Sequence, residues 1–205
     1  MLTLYYSKNS CAFAAHVVLE DAKAHYKVIH INLQKDDQNS ATYKKINAKQ
    51  RVPTLVTRSG PLTETPAIMV YIAQEHPGAN LLPSDNFGFA EMQSFNNYLS
   101  STVHVAHAHK HRGKRWSKDE KSQKSMTEKV KENMTSCGEL IEGQLLKGPW
   151  VLGNQYTICD PYLAVITRWL KDDGVNILKF PRIMEHNQRF QERDSAKKII
   201  RIHNS

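Results

Sequence analysis

The chain has 205 residues, 40% apolar and 23% charged, with a formal charge of +8 from 28 Lys/Arg against 20 Asp/Glu. That length supports one domain or two small ones with a real core, and no apolar run reaches the roughly 18 residues of a membrane span. The start MLTLYYSKNS lacks the basic and apolar regions of a signal peptide, so the expectation is a cytoplasmic protein with no membrane partner.

In chain order, LTLYY (2–6) alternates Leu2, Leu4 and Tyr6 and predicts a strand, and residues 12–23 put Phe13, Val17, Val18 and Ala22 near one helical face. YKVIHINL (26–33) predicts a second strand, followed by a weak helix over 41–46. VPTLVT (52–57) and PLTE (61–64) predict two strands about a turn at Ser59-Gly60, and PAIMVYIAQEH (66–76) an amphipathic helix. The order βαβαββα predicts a small mixed sheet covered by helices.

HPGANLLPSD (76–85) reads as a linker, beyond which the chain is helical in character, with helices predicted over 86–111, 118–146, 160–172 and 181–193. In YTICDPYLAVITRWL (156–170), Thr157 and Asp160 stand at capping-box spacing. The hydroxyl is expected to accept from the N–H three residues on while the carboxylate reaches back, starting a buried helix. The positive charge is spread out. Its densest stretch, KHRGKRWSKDEKSQK (110–124), includes Asp119, Glu120 and one aromatic, which reads as a solvated surface with no nucleic-acid partner.

Cys11, Cys137 and Cys159 are odd in number, widely spaced and without a C-x-x-C pair, so free thiols are expected and no zinc site. Cys11 alone sits where a helix begins, and there unpaired N–H groups and the macrodipole favour the nucleophilic thiolate. The βαβαββα order goes with a C-x-x-C motif in thioredoxin-like proteins; here the run is CAFA, with Ala14 in place of the second sulfur. Disulfide chemistry would borrow an external thiol, glutathione being the obvious small one. The plain alternative is that Cys11 packs as a small apolar residue.

In RVPTL, a proline opening a strand suggests a constrained turn; a cis Val52–Pro53 bond would leave the Val52 N–H and C=O outward to pair with a peptide backbone. In LTETPAI (62–68), Glu64 and Thr65 stand ahead of a helix. There the Thr65 hydroxyl and free N–H groups form an anion site and Glu64 receives an ammonium, or Thr65 is simply an N-cap.

Together, a thioredoxin-like half with this thiol, the VP turn, the TET turn and an all-helical half containing TICDPYL resemble a soluble glutathione transferase over essentially the full length. Tyr6, Cys11 and His16 in Y-x4-C-x4-H, NYLSSTVH (97–104) and GNQYTICDPYLAVITRW (153–169) are most similar to the bacterial beta class. The resemblance implies an α/β thioredoxin-like glutathione-binding domain over 1–78 and an all-α domain over 86–205 with a hydrophobic substrate site. It implies glutathione as co-substrate without a metal, conjugation to a hydrophobic electrophile, glutathione-dependent exchange through Cys11, and a homodimer serving detoxification.

The same resemblance assigns residues. Cys11 and His104 would lie at the glutathione sulfur, with Tyr6 nearby but not the main activator. Val52, beside Pro53, would pair with the cysteinyl backbone; Lys35, Glu64 and Thr65 would hold the tripeptide; Asn97 would reach in from the other subunit; and Trp169 would border the electrophile pocket. The sequence departs from the family pattern at Ala12, where a serine is common, and in the loop SKNS, which lacks the usual Pro and Gly. A non-catalytic carrier of glutathione or hydrophobic ligands on the same fold is the alternative. Finally, HVAHAHKHR (104–112) places His104, His107 and His111 on one helical face at a spacing that suits zinc, nickel or copper. No carboxylate or cysteine nearby in sequence completes a set, and the expected role is His104 in the site with the others at a helix end.

Overall fold

The computed structural model describes residues 1–204. They divide into two units, one of Met1–Ser84 together with the stretch from Gln191 onward, the other of Asp85–Phe190. No described helix is long and apolar enough to cross a membrane.

In the first unit β1 (Leu2–Tyr6), β2 (Tyr26–His30), β3 (Thr54–Thr57) and β4 (Gly60–Thr63) form one sheet in the order β2-β1-β3-β4. β1 and β2 run parallel, Leu4 opposite Val28, because α1 (Ala12–Asp21) crosses between them. β3 pairs antiparallel with both β1 and β4, and Gly60 at the hairpin takes φ +119, open to glycine alone at low cost. α2 (Ala41–Ile46) starts at Ser40, whose hydroxyl accepts from the Tyr43 N–H. α3 (Thr65–Glu75) buries Ile68, Met69, Ile72 and Ala73, a stripe at helical spacing that packs on α1.

α1 is buried over every residue from Ala12 to Leu19. It ends where Lys23 turns left-handed at φ +50, so that the Lys23 and Ala24 N–H groups close on the Glu20 and Leu19 carbonyls at 3.0 Å each. Its other neighbour differs from the sequence reading, which runs the second domain to 205: the terminal helix α9 (Asp194–Asn204) returns to the first unit and packs on α1. Ala196, Ile199 and His203 of α9 are buried. Around them Lys198 pairs with Glu20 at 2.6 Å, while Arg193 and Ser195 both reach Asp21, at 2.8 and 2.7 Å.

The second unit is helical throughout: α4 (Asn86–Tyr98), α5 (His104–Arg112), α6 (Glu120–Leu140), α7 (Cys159–Asp172) and α8 (Pro181–Gln191). The single helix expected over 86–111 is interrupted by a π turn, Leu99–Val103, where the His104 N–H bonds the Leu99 carbonyl five residues back. A second π turn, Ile141–Leu145, finishes α6. The capping box holds in its carboxylate half: Asp160 Oδ2 accepts from the Thr157 N–H at 2.7 Å. The Thr157 hydroxyl accepts from Cys159, two residues on and not three, at 3.3 Å. Asp160 Oδ1 also ties in the Val151 N–H at 2.8 Å and His186 Nε2 at 2.9 Å, so one fully buried carboxylate pins three segments.

Candidate functional site

Cys11 immediately precedes α1 and is 5% exposed. Its Sγ donates to the Val52 carbonyl at 3.8 Å, and the Val52–Pro53 bond is cis as the sequence suggests. That carbonyl, expected to be open to a peptide, therefore faces the thiol. The N–H groups expected to serve a thiolate are also taken: Ala12 donates to Ser10 Oγ and Phe13 to the Ser10 carbonyl, both at 3.2 Å. Ser10 hands its own proton to the Ser7 carbonyl at 2.7 Å, which leaves its oxygen free to accept from Ala12. What the first turn still offers Cys11 is its dipole. Burial pushes the Cys137 and Cys159 thiols up and keeps them protonated.

The loop leading to Pro53 rests on a buried polar network. The Tyr43 hydroxyl and Asn47 Nδ2 both meet the Arg51 carbonyl, at 2.7 and 2.8 Å, and both meet Thr54 Oγ1 at 2.9 Å. Burial pushes the Tyr43 hydroxyl up, so it stays neutral and holds its bonds. Asn47 Oδ1 also accepts from the Lys49 N–H at 2.9 Å, fixing the turn from which Lys49 departs.

Lys49 meets Glu64. The Lys49 ammonium lies 2.7 Å from Glu64 Oε1 and donates to Thr63 Oγ1 at 2.9 Å, so the carboxylate expected to await an ammonium already has one. Glu64 stands ahead of α3 at φ +72, a conformation that costs a residue of this kind about 1–3 kcal/mol and persists only where its surroundings fix it. Thr65 is the first helical residue and not the N-cap. Pro66 has no N–H, so Thr65 and Ala67 carry the donors ahead of a ladder that opens with Ile68 on the Glu64 carbonyl at 3.0 Å. Lys35 ends an exposed 3-10 turn, Leu33–Lys35, its N–H held by Asn32 Oδ1 at 3.2 Å.

Tyr6, at the end of β1, is buried with His16 of α1 and His203 of α9, and the exposed His30 ring also meets it. Its centroid is 4.9 Å from His203, 5.4 Å from His30 and 5.6 Å from His16. His16 Nδ1 and His203 Nε2 are 3.1 Å apart. Burial, opposed by Glu20 and aided by Lys198, pushes His16 down to about 4, so this imidazole is neutral near pH 7.

In the second unit the π turn delivers His104 to the start of α5, where its ring lies 4.7 Å from Trp169 on α7, tilted by 55°. These two predicted residues do come together. His107, one turn on, lies flat on the same indole, 4.3 Å away with the planes 3° apart, and its Nδ1 is 2.7 Å from Asp173 Oδ2. The Asp173 carboxylate is fully buried and also meets Lys110 Nζ at 3.2 Å. Asn97 is exposed on α4, its carbonyl taking the hydroxyls of Ser100 and Ser101 at 3.1 and 2.8 Å. His104 and His107 turn to Trp169 and His109 packs on Trp116 at 4.2 Å; among the described residues no three His, Cys, Asp or Glu gather as a metal-binding group. Lys49 and Asp173 are absent from the sequence-based candidates, and His107 enters them only through its metal-ligand spacing, because their partners are distant in the chain.

The family model of the glutathione S-transferase N-terminal domain matches residues 1–74, and that of the C-terminal domain matches residues 95–194. A glutathione transferase homologue from Sulfitobacter, crystallised with bound glutathione, is 38% identical, with a TM-score of 0.96 and 98% of each chain covered. The chain belongs to the glutathione S-transferase family. Among curated family members it is 25% identical to glutathione S-transferase GstA of Escherichia coli O157:H7 over 202 residues, 97% of each chain. It is 26% identical to glutathione S-transferase Z2 of Arabidopsis thaliana over 198 residues, 93% of this chain and 86% of that one. Identities this close to each other do not separate classes within the family.

Proposed function

We propose that this family member is a cytoplasmic, beta-like homodimer that binds glutathione in its first unit and conjugates it to hydrophobic electrophiles. The observation that carries this reading is the 38% identity, over 98% of both chains, to a homologue crystallised with glutathione. In this reading the Val52 backbone pairs with the cysteinyl residue, while Lys35, Glu64 and Thr65 hold the rest of the tripeptide. Lys49 swings off Glu64 to admit the γ-glutamyl ammonium. The pair is more than half exposed on both sides, and such a pair holds by less than about 1 kcal/mol, so opening it is cheap.

Chemically, the glutathione sulfur loses its proton to water and attacks the electrophilic carbon, and the leaving group departs with its bonding electrons. Cys11 and His104 donate toward the sulfur anion, Asn97 comes from the second subunit, and Trp169 borders the electrophile. The same residues support thiol exchange: the Cys11 thiolate attacks the glutathione sulfur of a mixed disulfide, the other thiol leaves as its thiolate, and a glutathione thiolate then attacks the Cys11–glutathione disulfide, freeing Cys11 with glutathione disulfide as the product.

Calorimetric titration with glutathione, initial rates with 1-chloro-2,4-dinitrobenzene, and mass mapping after glutathione disulfide test this. The expected result is saturable binding, turnover that falls in Cys11→Ala and His104→Ala, and an adduct confined to Cys11. Binding that survives both substitutions with no turnover in the native protein assigns a carrier instead, and absent binding overturns the reading.

A further inference from the structure

We infer that Asp173, His107 and Trp169 form a positioning stack that sets the ring of His104. His104 and His107 stand one turn apart on α5, and Trp169 and Asp173 one turn apart at the end of α7, so the two helices present matched rungs. The fixed point is the buried carboxylate of Asp173. A buried charge is tolerated when it is paired, and here His107 Nδ1 hydrogen-bonds Oδ2 at 2.7 Å while the Lys110 ammonium, donating to the Asp172 carbonyl, supplies the opposite charge 3.2 Å from Oδ1.

An acidic acceptor at Nδ1 places that nitrogen's proton toward Asp173 and fixes the imidazole's rotation, as a carboxylate does for any histidine it orients. The indole plane follows that of His107 to within 3°. The Asp173 N–H also bonds the Trp169 carbonyl at 2.8 Å, so carboxylate and indole spring from one closed turn. Trp169 is only 3% exposed, so it acts through the rings packed on it, and with His107 fixed by Asp173 the ring left for it to orient is that of His104, tilted against the indole at 4.7 Å. His107 and Asp173 are positioning residues: they orient His104 through Trp169.

The stack is geometric, whereas its bearing on turnover rests on the role proposed above for His104. Two readouts keep these apart. In nuclear magnetic resonance the indole ring current shifts the His104 imidazole resonances, identified by their loss in His104→Gln. His107→Asn keeps a donor for Asp173 and so preserves the fold while removing the stacked ring, and Asp173→Asn removes the anchoring charge. The expectation is that His107→Asn and Asp173→Asn move the His104 resonances toward unshifted positions. Their kcat with 1-chloro-2,4-dinitrobenzene should fall roughly ten- to a hundredfold, with the glutathione KM within about twofold of wild type. His111→Gln, exposed on the same helix, should change neither. A folded His107→Asn protein with native His104 resonances overturns the stack. Moved resonances without any conjugation by the native protein uphold the stack and overturn the reading of His104 as a catalytic residue.

Discussion

His16 illustrates how one buried imidazole makes stability depend on pH. It titrates near 4 in the folded chain against 6.5 in the open, so between those values the unfolded state binds more protons and acid favours unfolding. Stability is full above about pH 6.5 and drains by roughly 3 kcal/mol as pH falls toward 4. Urea midpoints measured across that window should fall with pH, and His16→Gln should flatten the dependence. Lys49 offers a second test. In the proposed glutathione site it competes with the incoming ammonium for Glu64, so on that proposal Lys49→Met should tighten glutathione binding by up to about fivefold in calorimetry, the equivalent of an exposed ion pair. Neither pairing is legible in one dimension: Lys49 and Glu64 are 15 residues apart and His107 and Asp173 are 66 apart. Cys11 and the cis Val52–Pro53 bond are legible because a thiol at a helix start and a proline at a strand start are local signals.

Helices and strands were readable wherever burial imposes a period, as in α3, whose apolar stripe marks its whole length. The π turn at Leu99–Val103 was not, because one extra residue per turn leaves an apolar run looking continuous while it rotates α5 and the His104 it carries. α9 escaped delineation for another reason: its inner stripe of Ala196, Ile199 and His203 ends on a residue normally counted as polar. The capping of α7 was visible, yet its reach was not, since Val151 and His186 are brought to Asp160 only by the fold. Removing that carboxylate strands three partners at once. Asp160→Ala should cost about 3–5 kcal/mol, read as a lowered urea midpoint, with Asp160→Asn retaining part of the loss.

At the scale of the molecule, the end of the chain helps to complete its beginning. α9 packs on α1, where His16 meets His203, and it is clasped there by Glu20 and Asp21. Ile199→Ala, at a fully buried position, should lower stability by about 2–5 kcal/mol. Hydrogen exchange should then quicken in α1, 180 residues upstream, and in the Cys11 turn attached to it. The sequence reading located the change of character near residue 85 but not this return, because the return is a contact between the two ends and no composition shift marks it.

The helical unit is thus an insertion within the first, and synthesis proceeds in an awkward order. When residue 84 leaves the ribosome, the sheet and α1 to α3 are complete, but the segment that covers α1 is still more than a hundred residues away. At about 5–20 residues per second, translation leaves that apolar face uncovered for roughly 5–20 s. A nascent chain of this protein therefore presents its first unit as a client for chaperones until α9 emerges.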